Sequence, residues 1–84
     1  MTEDKRYIII GRSTCPFCIQ AADLCSATGI PHIMLDYAGK EEVLEDYKEF
    51  HTQSTVPIIL ENNLKTGYTV KVGGYTDLLD LLKE

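Results

Sequence analysis

The residue pattern predicts an α/β fold of order βαβαββα, one mixed four-stranded sheet with helices on both faces. Three features lead to it. Between Tyr7 and Leu35 two short apolar runs flank a helical segment, the make-up of a βαβ unit with parallel strands and a right-handed crossover. Further along, "VPIILE" and "YTVKV" are separated by the turn-like "NNLKTG" and read as an antiparallel hairpin. A leucine-rich segment after a double glycine closes the chain with a third helix.

Taken in order, "YIII" (Tyr7 to Ile10) is a β-branched run ended by Gly11, as a buried strand should be. "CPFCIQAADLCSATG" is helical, with Pro16 suited to the first helical position and Gly29 to the stop. "HIML" (His32 to Leu35) is the second strand. "EEVLEDYKEFH" spaces Val43, Leu44, Tyr47, Phe50 and His51 as the apolar stripe of a helix whose other face is acidic and solvated. The third strand starts at Pro57, and the fourth, Tyr68 to Val72, alternates as a half-buried strand does. After Gly73-Gly74, Thr76 is the expected N-cap of "DLLDLLK", whose Leu78, Leu79 and Leu82 are core residues. No repeat or linker interrupts the pattern, and one domain is expected over residues 1–84.

Composition narrows the function. The chain has 44% apolar residues and only three prolines, enough for a modest core and too apolar for disorder. No run approaches the ~20 apolar residues that span a bilayer, and "MTEDKRYIII" is too charged for a secretory signal. Eight basic against thirteen acidic residues leave a net charge of -5, the wrong sign for a surface that tracks phosphates. No nucleic-acid or membrane partner is therefore expected. The three cysteines, Cys15, Cys18 and Cys25, are too few and too close together for a disulfide scaffold. They imply a reducing compartment, with the cytoplasm as the expected location.

The chemistry lies in "CPFC". With Pro16 at the first helical position, Cys15 is the N-cap, and its sulfur lies beside the unpaired amides of Phe17 and Cys18. Those donors and the positive end of the helix dipole favour a thiolate, and junctions of this kind lower a thiol pKa from about 8.5 to roughly 3.5–7.5. Cys18, one turn in, is close enough to form a disulfide with Cys15 and is less exposed. Cys15 is thus the attacking nucleophile and Cys18 the resolving thiol, with Pro16 fixing the turn between them. A structural zinc site normally needs four ligands. Cys15, Cys18 and one distant His are a poor set, and no metal is expected.

At this point the chain resembles a glutaredoxin, a small member of the thioredoxin-fold superfamily. "CPFC" resembles the family's Cys-Pro-Tyr-Cys, "TVP" (Thr55 to Pro57) its Thr-Val-Pro, and "GGYTDL" (Gly73 to Leu78) its Gly-Gly-x-[Ser/Thr]-Asp-Leu. The resemblance implies a thioredoxin-like fold and a glutathione site. Arg12 stands where the family commonly has Lys, three residues before the first cysteine. Gln53 matches a position that contacts glutathione's glycyl end. The Val56–Pro57 bond is expected to be cis, with the Val56 backbone pairing with the glutathione cysteine. Thr76 and Asp77 match the pair that receives the γ-glutamyl end, where helical amides and a hydroxyl suit its carboxylate and Asp77 its ammonium. Phe17, Thr55 and Gly74 complete the set. Two positions depart from the pattern: Phe17 lacks the usual tyrosine hydroxyl, and Ile58 stands where a polar or basic residue is common. The segment from Pro57 to Gly73 is also longer than usual, so a projecting hairpin is expected.

Cys25 lies seven residues beyond Cys18 with Ala22 between them on one helical face, and reads as a small buried hydrophobe. His32 and His51 lack ligand spacing. Tyr75 suits either the rim of the site or the core. The reading is a monomeric glutathione-dependent thiol–disulfide oxidoreductase that reduces protein disulfides or protein–glutathione mixed disulfides. Glutathione serves as co-substrate, regenerated by glutathione reductase, and no cofactor is tightly bound. Two alternatives stand beside it. One is a thioredoxin-like electron donor, for example to ribonucleotide reductase, reduced by a flavoprotein reductase. The other is a module holding a [2Fe–2S] cluster between two subunits, against which Pro16 argues.

Overall fold

The computed structural model describes residues 4–83; residues 1–3 and 84 of the expected domain lie outside the described part. The order is β1 (Lys5–Gly11), α1 (Pro16–Ala27), β2 (His32–Asp36), α2 (Glu41–Phe50), β3 (Ile58–Asn63), β4 (Thr69–Gly73) and α3 (Tyr75–Lys83). The strands form one sheet in the order β2-β1-β3-β4. β1 pairs parallel with β2 and antiparallel with β3, and β3 pairs antiparallel with β4. The mixed sheet and the βαβαββα order are those predicted.

Alternation along the two central strands builds a core on each face. Tyr7 and Ile9 of β1 and Ile59 of β3 join Ala21 and Cys25 of α1 and Leu78 of α3. Ile10, Ile58 and Leu60 join Leu44 of α2 on the opposite face, with Ile8 packed against them. Burying one such side chain contributes about 1.5–3 kcal/mol. Ile58 is fully buried here, so its departure from the family pattern fills the core and touches no substrate surface.

Helix ends set the approach to the site. α1 stops as predicted: Gly29 takes a φ of 72°, its amide bonds Ser26 O at 3.2 Å, and the Ile30 amide bonds Cys25 O at 3.0 Å. This is the paired arrangement that a left-handed residue permits after a helix. α2 ends the same way with Thr52 at φ 53°, and the Gln53 amide reaches Lys48 O at 2.9 Å. A non-glycine residue there costs about 1–2 kcal/mol. The gain is a sharp turn that delivers Gln53 to the loop before β3.

Three expectations are corrected. β3 and β4 each begin one residue later than expected, because Pro57 donates no ladder bond and the Tyr68 amide is taken by Thr66 Oγ1 at 3.2 Å. α3 begins at Tyr75, so Thr76 lies inside the helix and Gly74 precedes its first residue. The reason is Asp77, whose Oδ2 accepts the Gly74 amide at 2.8 Å, as the third helical residue does in a capping box. In α2 only Leu44 is fully buried, and Phe50 is 81% exposed. A helix turns about 100° per residue, so Val43, Tyr47 and Phe50 follow a flank that Leu44 does not share.

Candidate functional site

The site lies where the loop after β1, the start of α1, the turn before β3 and the start of α3 converge. Asp36 at the end of β2 braces the first of these: its Oδ1 accepts the Ser13 amide at 2.9 Å and the Ala38 amide at 3.0 Å. Those bonds hold the Asp36 carboxyl below the usual carboxylate range. Cys15 follows with extended backbone (φ -92°, ψ 121°) as the N-cap of α1, and Pro16 opens the helix. Both features match the sequence reading.

The two thiols sit in different environments, and both are free. Cys15 is half-exposed, and its sulfur makes no capping hydrogen bond of full geometry. Burial works against its thiolate. The amide and thiol of Cys18, the Phe17 amide and the Arg12 charge outweigh that, and the Cys15 pKa falls below its ordinary value. Cys18 is fully buried. Its thiol is pushed up to about 11, chiefly by burial and further by the neighbouring Cys15, although the Arg12 amide donates to Sγ at 3.5 Å and opposes the rise.

Phe17, two residues on from Cys15, lines a groove of about 490 Å³. Phe17 and Tyr75 form one wall, with ring centroids 6.0 Å apart and planes at 29°. Thr55, Val56 and Pro57 form the floor, and the Val56–Pro57 peptide bond is cis. Gly74, Thr76 and Asp77 close the far end. Gln53 also lines the groove, but its amide nitrogen is already committed, donating to Thr55 O at 3.0 Å and Pro57 O at 2.9 Å. The side chain clamps the cis-proline turn.

The structure therefore brings together all the residues that the resemblance assigned to glutathione, with one exception. Arg12 does not line the groove. Its guanidinium turns to the first turn of α2, where Nη1 meets Glu41 Oε1 at 3.3 Å, and its buried Nε has no hydrogen-bond partner among the described residues. Cys25 lies in the core beside Ala21, as a buried hydrophobe; Ala22, expected between the cysteines, is only partly buried. His32 bonds Ile30 O and Ser26 Oγ, and His51 closes α2, so neither approaches the thiols.

Three contributors were not assigned from the sequence. Tyr75 lines the groove, where the pattern left rim and core equally open. Gly11 lies against Cys18, and a Cβ there would run into the Cys18 sulfur. Gly73, at φ 126°, is occupied in the same way by the Asp77 carboxylate. A glycine ending a strand is a signal for such a close approach, but it does not name the neighbour. Among the described residues no cluster of His, Cys, Asp and Glu could hold a metal ion, and no helix is long and apolar enough to cross a membrane.

A dithiol at a helix N-terminus beside a cis-proline turn, on a four-stranded mixed sheet, defines a thiol–disulfide oxidoreductase of the thioredoxin fold. Comparison with known proteins narrows this. The glutaredoxin family model matches residues 7–63. A wheat glutaredoxin superposes with a TM-score of 0.75 at 23% identity, covering 93% of this chain and 71% of that one. Reduced Escherichia coli glutaredoxin gives 0.65 at 27% identity, covering 93% of each chain. A dithiolic glutaredoxin of Trypanosoma brucei brucei gives 0.69 at 23%, covering 99% of this chain and 82% of that one. No curated protein sequence matches. The chain belongs to the glutaredoxin family and is a thiol–disulfide oxidoreductase.

Proposed function

We propose that the chain is a cytoplasmic glutathione-dependent oxidoreductase that reduces protein disulfides and protein–glutathione mixed disulfides through Cys15 and Cys18. The observation that carries this is the groove, which gathers Phe17 of the dithiol turn, the cis-proline turn and the N-terminal end of α3. The Cys15 thiolate attacks a substrate disulfide, forming one S–S bond while the other substrate sulfur leaves as a thiolate. For a protein disulfide, Cys18 gives up its proton and attacks Cys15, releasing the second substrate sulfur. Two glutathione molecules then reduce the Cys15–Cys18 disulfide and leave as glutathione disulfide. For a glutathionylated protein, Cys15 takes up the glutathione and a second glutathione removes it.

Glutathione lies with its γ-glutamyl end at the start of α3, where the helical amides and the Thr76 hydroxyl meet its carboxylate. Asp77 keeps one carboxylate oxygen free of the Gly74 bond for the ammonium. The Val56 backbone pairs with the central cysteine. The glycyl carboxylate then falls to Arg12, because Gln53 has both amide N–H groups bound to the turn. The test is turnover of a glutathionylated peptide coupled to NADPH oxidation, with glutathione plus glutathione reductase in one arm and thioredoxin reductase in the other. Turnover in the first arm alone is expected. Turnover only in the second would replace this reading by that of a thioredoxin-like donor.

A further inference from the structure

Three observations meet at Arg12. Among the described residues the groove is lined by no Lys or Arg, although an anionic tripeptide is its proposed occupant. The cation nearest Cys15 in sequence, Arg12, points away to Glu41, 29 residues along the chain. The contact uses one guanidinium nitrogen and one carboxylate oxygen, and the buried Nε of the same group is left without a partner among the described residues. An arginine fork met by a carboxylate gains most when two parallel N–H groups are used. Here one is used and another is orphaned, so the pair is a weak one that a better-placed carboxylate can exchange.

We propose that Glu41 is a specificity-determining residue, an internal competitor that holds Arg12 off the groove and lowers the advantage of thiol co-substrates bearing a terminal carboxylate. The proposal rests on the glutathione reading above. In the resting protein Glu41 neutralises the cation; when glutathione enters, its glycyl carboxylate must take Arg12 from Glu41 or share it. Glu41 is half-exposed at the side chain (55%) and Arg12 less so (34%), and exposed pairs of this kind are worth about 0.2–1 kcal/mol. The effect on co-substrate use is accordingly about 1.4- to fivefold. Glu41 also damps the Arg12 charge that favours the Cys15 thiolate, so the two effects share one cause.

The experiment compares the wild type with Glu41→Gln and Glu41→Asp, using glutathione and its glycyl monoethyl ester, which lacks that carboxylate. Glu41→Gln is expected to raise kcat/KM for glutathione relative to the ester about 1.4- to fivefold, mostly through KM. The Cys15 thiolate absorbance should appear at lower pH in the same variant. Glu41→Asp, whose carboxylate is one methylene shorter, is expected to fall between the two. If Glu41 merely supports the start of α2, Glu41→Gln will change thermal stability and leave the glutathione-to-ester ratio as in the wild type; that result overturns the proposal alone. Absence of glutathione turnover by the wild type overturns the glutathione reading, and this proposal with it.

Discussion

Replacing Gly11 by alanine tests how tightly the buried thiol is seated. Gly11 closes β1, and its backbone is outside the positive-φ region occupied by Gly29, Gly39, Gly67 and Gly73, so alanine meets no conformational penalty. The cost is purely steric. The new Cβ would overlap Cys18 Sγ and lie 3.4 Å from Cys18 Cβ and 3.7 Å from Pro57 Cα. The sulfur has little room to move, because Cys18 is fully buried and the Arg12 amide reaches its Sγ at 3.5 Å. Overpacking a filled site by one methyl costs about 1–3 kcal/mol. For a chain of this size each kcal/mol lowers Tm by about 4–8 °C, so a 2 kcal/mol cost lowers it by about 8–16 °C. Thermal unfolding of the reduced protein, followed by circular dichroism, reads this directly. Repeating the substitution in a Cys18→Ala background removes the sulfur, and the cost there should drop below about 1 kcal/mol, a coupling of at least ~1 kcal/mol. Equal losses in both backgrounds, or none in the wild type, would refute the reasoning.

Cys18→Ser should keep turnover of glutathionylated peptide and lose most reduction of a protein disulfide, whereas Cys15→Ser should lose both; equal activity of the two variants in the coupled assays would reverse or cancel the assigned roles. Alkaline pH should destabilise the reduced protein through Cys18. Its folded pKa of about 11 is raised above the unfolded value of about 8.5, so its contribution is complete below that value and is lost as pH rises toward 11. Tyr7 and Cys25, whose pKa values are also raised by burial, add their own losses, so the Cys18 share is the part that Cys18→Ala removes from urea midpoints at pH 8 and pH 10.5. An alkaline loss undiminished in Cys18→Ala would show that the thiol is not seated as described.

Much of the fold was legible because each central strand is buried on both faces and leaves a continuous apolar run, as in "YIII". The dithiol was legible because proline and cysteine at a helix start act locally. What escaped depends on contacts distant in sequence. Arg12 and Glu41 meet across 29 residues, and nothing in either segment announces the pair. Thr76 carries a good capping signal, but Asp77 bonding back to Gly74 starts the helix earlier, and both signals are present in the same five residues. The α2 stripe failed for a different reason: Leu44 takes the line of the helix that faces the core, and Phe50, on the flank, is left in solvent.

Cys18, the resolving thiol of the proposed cycle, has a pKa near 11 that looks ill suited to nucleophilic work at neutral pH, yet the causes of the rise include the state of its partner. Burial is the largest cause and persists; a smaller part comes from the hydrogen bond and the charge of Cys15, and this part ends once Cys15 is held in a mixed disulfide and carries no charge. The Arg12 amide, which opposes the rise, stays where it is, fixed at the end of β1 against the same sulfur. In the proposed cycle Cys18 therefore becomes more acidic only after the substrate has been captured. Until then it stays protonated and donates to the Cys15 thiolate, which lowers the pKa of the attacking group. The same contact thus activates attack before capture and, by its loss, releases the resolving thiol afterwards. The order of the two steps follows from the burial of one sulfur and the partial exposure of the other.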